Sequence, residues 1–485
     1  MPLPHPVSRY RQCPRCRPLH LAEPGSIAVD AGGSILHTVG IPDRIRHCPG
    51  RKAMIVRMVR NRVDNKLNRI AIPRDLDRII HIDPAEVSPG DLGLTERSVD
   101  AIWGATLDLY RTGMHPMLGL CIRRGGQLLL NRTIGYQHGD AASEQAVVAD
   151  LNTPVCLFSA SKAISAMLVH LLAEQGKIHL MDPLSYYIPE FAAHGKGYIT
   201  IYQLLAHRAG VPGLGDDVDP KVLFDREQAV ARICAAKPID RLGRTSAYHA
   251  ITGGFLIDEL IRRTTGLTVQ QFLDRHIRKP MGMRYFRYGL GKRDMKRAAV
   301  NRFTGLVPGK VVGATLKNAL GIDYMAVMDI TNSDDFKQAI LPAGNIYATA
   351  EEAGRFFQML LDYGRYKDAR IMQPLTVHRA IQEAGKASID ASLKIPMRYS
   401  PGFMLGGSPA GIYGSDSHYA YGHIGLSNVF VWADPQRDIS VAILNSGKPV
   451  LGNHLAAMAR LLFGIPRHCA PVRNMEEEAL EFLAT

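Results

Sequence analysis

Strand-forming runs stand at both ends of this chain's apolar core, and that separation limits the folds open to it. Near the front, MLGLCIRRG and QLLLNRTIGYQ are apolar or β-branched runs that meet at Gly125-Gly126, a hairpin turn signal. Near the back, YAYGHIGLSNVFVWADPQRDISVAILNSG alternates as strand, strand, a turn at Asp434-Pro435-Gln436-Arg437, and strand. The residues between are mainly helical in pattern. Strands at both ends with helices between predict an α+β chain, with one mostly antiparallel sheet flanked by helices and an inserted helical subdomain.

The helices are legible from their period. In TERSVDAIWGATLDLYRTG, Val99, Ile102, Trp103, Thr106, Leu107 and Tyr110 share one face, and Thr95 is placed to cap it. In AGNIYATAEEAGRFFQMLLDYG, Thr349 and Glu352 have the spacing of a capping box. Ile164, Met167, Leu168, Leu171 and Leu172 repeat at helical spacing, and Gly176 with Lys177 marks the end of that helix. Residues 285–345 show no clean period.

The helix with Ile164 opens on Ser159-Ala-Ser-Lys162, the only SxxK in the sequence. Residues three apart on a helix share a face, whereas Ser161 points elsewhere. On spacing alone the pair has two readings. Ser159 caps the helix and Lys162 is a solvated first-turn residue, or Lys162 takes the proton that makes Ser159 a nucleophile. A lysine can do so when burial or a nearby cation lowers its pKa. A cation in the first turn opposes the helix dipole, which favours the second reading, and orphan N–H groups at the helix start suit an oxyanion.

Two further segments bear on the choice. Tyr248 precedes an apolar helix predicted from about Thr252 to Thr265, and a phenol beside an ammonium can share one proton with it and act as a general base. Tyr421-Gly-His423-Ile-Gly425-Leu426 opens a predicted strand. There Gly425 would let a ligand approach the edge backbone, and the N–H of Leu426 is a candidate second oxyanion donor.

The order SxxK, Tyr, HxG resembles the serine β-lactamase and penicillin-binding-protein-like superfamily, in particular the class C-like (family VIII) carboxylesterases. The resemblance covers roughly residues 94–465 and extends to FSASKAISAMLVHLLAEQGKIHLMDPLSYYIPEF, ITIYQLLAHRAGVPG and AGNIYATAEEAGRFFQMLL. It implies a β-lactamase-like sandwich with a helical subdomain. It also implies Ser159 as nucleophile, Lys162 as its partner and Tyr248 as general base. The N–H groups of Ser159 and Leu426 would form the oxyanion hole, with His423 and Gly425 lining the edge strand.

The chain departs from the family pattern at two places. The usual Tyr-x-Asn is Tyr248-His249-Ala250 here, and His423 stands where the family has the lysine of Lys-Thr-Gly. An imidazole is mostly uncharged at neutral pH and attracts a substrate carboxylate poorly. Both changes favour a neutral short-chain carboxylic ester over an anionic β-lactam. A β-lactamase or D-amino-acid amidase or peptidase acting at the same site is the alternative.

Net charge separates the ends from this core. Of the +13 total, much lies before residue 80, in Arg9-Tyr-Arg11, Arg51-Lys52 and Arg57 to Arg62. The expected organisation is a basic N-terminal extension over 1–92, the hydrolase domain over 93–470 and an acidic tail over 471–485. The extension is either disordered or, with Met54 and Met58 as alternative starts, in part a gene-model artefact. A non-catalytic protein that binds an acidic partner through this extension is a further reading, but no recognition motif accompanies it, and no nucleic-acid partner is expected.

Cys13-Pro-Arg-Cys16 is a lone CxxC, the seven cysteines have no disulfide-framework spacing, and no HExxH occurs. The GSDSH stretch at Gly414–His418 lacks the second glycine of a nucleophile elbow and reads as a polar loop. No metal and no organic cofactor is expected. A chain without an apolar leader or a run of about 20 apolar residues is expected to be cytoplasmic, without a membrane span. The partner expected is a small-molecule ester, and oligomeric state is not legible.

Overall fold

The two strand-forming ends meet in one sheet. The computed structural model describes residues 67–215, 218–320, 323–426 and 428–475. Its main sheet has eight strands: β1 (Ile80–Ile82), β2 (Met117–Arg124), β3 (Gln127–His138), β4 (Val147–Val148), β5 (Met404–Leu405), β6 (Tyr421–Gly425), β7 (Val429–Asp434) and β8 (Ile439–Asn445). The order is β1-β3-β2-β8-β7-β6-β5, with β4 on β3, and every pair is antiparallel. The early hairpin therefore joins the late meander along β2 and β8, where Leu118 faces Asn445 and Arg124 faces Ile439.

Local chemistry explains the turns. Gly125 and Gly126 both have positive φ (55° and 77°), as a tight hairpin between Arg124 and Gln127 requires. A 3-10 turn at Pro435–Arg437 and a left-handed Asp438 connect β7 to β8.

Both faces of the sheet are covered, so its strands read as continuous apolar runs. Leu118, Leu120, Ile122, Trp432, Val441 and Ile443 point to one face, against α1 (Glu96–Arg111) and the C-terminal helix His454–His468. Met117, Cys121, Val431, Ala442 and Leu444 point to the other, against α2 (Ser161–Glu174) and the helix Ala350–Leu361. Thr95 caps α1 as expected, its hydroxyl accepting the Ser98 N–H at 3.2 Å. In that helix Leu109, rather than Leu107, completes the buried stripe. The Thr349–Glu352 capping box also forms. The inserted helical subdomain includes α3 (Thr252–Thr265) and, in the stretch without a clean period, the helices Lys310–Leu320, Tyr324–Asn332 and Asp334–Gln338.

Described residues ahead of 93 also contribute to the sheet and its core: β1 pairs with β3, and Ile70 and Ile79 are buried. A three-residue strand has no period to read, and its pairing partner lies about fifty residues away. The remainder of the expected extension, with Cys13, Cys16 and Cys48, lies outside the described residues, as do residues 476–485 of the acidic tail. Among the described residues no helix is long and apolar enough to cross a membrane.

Candidate active site

A small three-stranded sheet sets the site. Val155–Cys156 pairs with Ile346–Ala348, which also pairs with Arg287–Tyr288. The Leu157 N–H continues the first pairing to the Ile346 carbonyl at 2.8 Å. The chain then turns sharply. Phe158 takes a left-handed φ of 48°, a conformation that costs a bulky residue on the order of 1 kcal/mol or more. Ser159 follows inside a single 3-10 turn, Phe158–Ala160, before α2 begins at Ser161.

This geometry excludes the capping reading of Ser159. Ala160 is the residue at the helix cap, and no side chain caps the helix there. The Ser159 hydroxyl instead accepts a hydrogen bond from Lys162 Nζ at 3.0 Å. Ser161 does point elsewhere, accepting the Ile346 N–H at 3.0 Å.

Lys162 is not a solvated first-turn residue. It is buried, its ammonium donates to the Ala343 carbonyl at 2.9 Å, and it lies 4.9 Å from the centre of the Tyr248 ring. Among the described residues no ion pair to a carboxylate is formed by Lys162. Burial alone lowers its pKa to about 7. Tyr248 is also buried, and burial pushes its phenol well above the ordinary value, opposed by the neighbouring Ser159 hydroxyl. For this phenol desolvation outweighs the other causes.

The HxG strand lies on the far side of Tyr248. The His423 ring centre is 6.1 Å from that of Tyr248. His423 Nδ1 donates to the Ile424 carbonyl at 2.9 Å, so Nε2 presents a bare lone pair, with no protein partner. Burial, and then the Lys162 charge, lower the His423 pKa to about 3. The position thus carries no positive charge. Strand β5 pairs only with Tyr421 and Gly422, which leaves the His423–Gly425 edge unpaired on that side. Gly425 is needed for a reason other than ligand approach: a Cβ there would stand 2.2 Å from the Leu157 carbonyl oxygen. It is the backbone of the segment leading into Ser159 that packs against the glycine.

Beside Ser159 opens a cavity of about 90 Å³ whose lining includes Leu426, Phe158, Leu223, Val327, Ile330 and Phe336. The lining holds no charged side chain, and Ser159 and Thr331 are its hydroxyl-bearing members. His418, in the GSDSH stretch, borders a different cavity with Arg398 and Tyr421, and the Ser417 hydroxyl is taken up by the Gly414 carbonyl at 3.2 Å.

Sequence reasoning missed several site residues. Ala343 receives Lys162 through its backbone, which no side-chain pattern reveals, although it opens the AGNIYATAEEAG block. His207 packs its ring 4.7 Å from that of Tyr248 and accepts the His249 N–H at 3.2 Å. Val327, Ile330 and Phe336 fall in the stretch without a clean period.

Comparison with known proteins bears on the family and the fold. A family model described as Beta-lactamase matches residues 107–463. The chain is 26% identical over 305 residues to Esterase/beta-lactamase LipL of Mycobacterium tuberculosis (strain ATCC 25618 / H37Rv), an alignment covering 60% of this chain and 68% of that protein. It is 27% identical over 180 residues to Protein flp of Staphylococcus aureus (strain MW2), covering 36% of this chain and 35% of flp. The chain thus spans about a third of flp's length. Among solved structures, a penicillin-binding protein homologue from Caulobacter crescentus superposes with a TM-score of 0.68 at 23% identity, over 80% of this chain and all of that one. A family VIII carboxylesterase superposes with a TM-score of 0.67 at 20% identity, over 79% of this chain and 99% of that one. At these identities the likeness to the solved structures is one of fold.

Proposed function

The chain belongs to the beta-lactamase family, and from that premise we propose that it is a serine hydrolase that cleaves short-chain carboxylic esters through an acyl-enzyme on Ser159. The observation that carries this reading is the 3.0 Å hydrogen bond between Ser159 Oγ and the amine of a lysine whose pKa is about 7. At neutral pH a substantial fraction of Lys162 is a free amine, able to accept the hydroxyl proton.

In the acylation step Lys162 takes that proton as Ser159 Oγ bonds to the ester carbonyl carbon. The resulting oxyanion is held by the backbone N–H groups of Ser159 and Leu426. The C–O bond to the alcohol then breaks, and the leaving oxygen receives a proton from the Lys162/Tyr248 pair. The pair next takes a proton from water as it attacks the acyl carbon; the bond from that carbon to Ser159 Oγ then breaks, Oγ takes the proton back from the pair, and the acid leaves.

Two observations support the substrate. The cavity at Ser159 is about 90 Å³ and lined without charge. An apolar cavity of about 150 Å³ accommodates a benzene, so this one suits an acyl chain of about four carbons. His423 is neutral, which removes the cation that would draw in a lactam carboxylate. The LipL name joins esterase and β-lactamase; the neutral His423 favours the first for this chain.

The test is hydrolysis of p-nitrophenyl acetate, butyrate and octanoate, with nitrocefin as the lactam probe. The reading expects butyrate to be preferred over octanoate by about ten-fold or more in kcat/KM, little nitrocefin turnover, and loss of all of it in Ser159→Ala. Nitrocefin turnover above that of every ester would replace the substrate class. Undiminished ester turnover by Ser159→Ala would remove the nucleophile.

A further inference from the structure

Tyr248 lies in a segment without helix or strand, yet its phenol must stay fixed beside Ser159 and Lys162. The anchor is a carboxylate that neither the motifs nor the proposed mechanism uses. Asp390 lies between the paired strands Ser388–Ile389 and Pro396–Met397 and is fully buried. Its Oδ1 accepts the backbone N–H of Tyr248 at 3.1 Å, of Ser392 at 2.8 Å and of Leu393 at 2.9 Å. Its Oδ2 accepts the Tyr399 phenol at 3.1 Å and the Ser246 hydroxyl at 3.4 Å. The Ala391 N–H returns a bond to the Ser246 carbonyl at 2.8 Å, which docks the two segments from both sides.

A second route leads from the same carboxylate to the Tyr248 ring. Tyr399 packs edge-on against His207 with ring centres 5.0 Å apart, and His207 lies 4.7 Å from Tyr248. Asp390 thus holds the backbone of Tyr248 directly and braces its ring through Tyr399 and His207.

We propose that Asp390 is a positioning residue for Tyr248, fixing its phenol against the Ser159–Lys162 pair. The proposal rests on the reading of Tyr248 as a proton partner of Ser159. The titratable groups that face Tyr248 are Lys162 from α2, His207 from the loop after the helix Ile201–Leu205, its neighbour His249, Tyr399 and His423 from β6. Burial lowers the pKa of all three imidazoles below the ordinary value, and both phenols are pushed up. The carboxyl of Asp390 is, after burial, among the causes that raise the phenol pKa of Tyr248 and of Tyr399.

The test compares Asp390→Asn and Tyr399→Phe with wild type in p-nitrophenyl butyrate hydrolysis across pH, with folding checked by circular dichroism. For Asp390→Asn the expected result is a kcat lowered by about ten-fold or more, with KM within about two-fold. Tyr399→Phe keeps the carboxylate but removes the phenol that braces His207 against Tyr248, so it also lowers kcat with KM within about two-fold, and it decides if Asp390→Asn does not fold. Folded variants that both keep the wild-type kcat would overturn the role of Asp390. A Ser159→Ala variant as active as wild type would instead overturn the parent reading, and this proposal with it.

Discussion

Lys162 has exchanged the hydration that keeps an exposed lysine protonated for one carbonyl, one hydroxyl and the face of a phenol. Its pKa near 7 follows from burial alone. The proposed base must be unprotonated to act, so the sign of the pH dependence is fixed: kcat/KM rises as pH rises through about 7 and falls away below it. The limb belongs to the Lys162/Tyr248 pair as a unit. A profile of p-nitrophenyl butyrate hydrolysis between about pH 5 and 9 checks this. Lys162→Met is expected to lose about 100-fold or more in kcat/KM and to lose the limb with it. A folded Lys162→Met variant that keeps both would remove the lysine from the mechanism. At this scale the sequence picks out the residues that the structure brings together but not their proton distribution. SxxK is a local pattern, whereas the balance between a depressed lysine and a raised phenol depends on burial by distant segments. Asp390 illustrates the same limit, since its bond to Tyr248 spans 142 residues of sequence.

Each element carries as much of the site as its local pattern allowed to be read. The hairpin at Gly125-Gly126, the meander of β6 to β8 and the capping box at Thr349 were legible because turn chemistry, alternation and caps are encoded within a few residues. The helices Tyr324–Asn332 and Asp334–Gln338 were not legible, being short and separated by the Ser333 cap, so neither completes enough turns for a clear stripe. They are the elements that wall the acyl cavity with Val327, Ile330 and Phe336. Phe336 also faces Phe158, with ring centres 6.4 Å apart. Shortening it should enlarge the cavity rather than disturb the nucleophile. Phe336→Ala is expected to raise the octanoate-to-butyrate ratio of kcat/KM by about ten-fold, at a stability loss of about 3–5 kcal/mol or less, since the residue lies at a cavity wall. An unchanged ratio in a folded variant would place the acyl chain elsewhere.

The described residues form an antiparallel sheet with helices on both faces, its strands drawn from early and late in their sequence. That arrangement buries histidines at several depths. His170 and His249 are lowered to about 4 and His423 to about 3, with His115 and His207 also well below 6.5, in each case chiefly by burial. The unfolded chain therefore binds more protons than the folded one as pH falls below about 6.5. Their stabilising effect is complete above that pH and is lost progressively toward pH 4, at up to about 1.4 kcal/mol per unit for each histidine. The urea midpoint is expected to fall steeply between about pH 6.5 and 5, and a flat midpoint would contradict the buried, neutral imidazoles. The most direct measurement of the central claim is intact mass and peptide mapping after a fluorophosphonate probe is added to the wild type and to Ser159→Ala. The account predicts one adduct per chain, on Ser159, absent from the variant. A folded wild type that takes no label, or takes it on another residue, would contradict it.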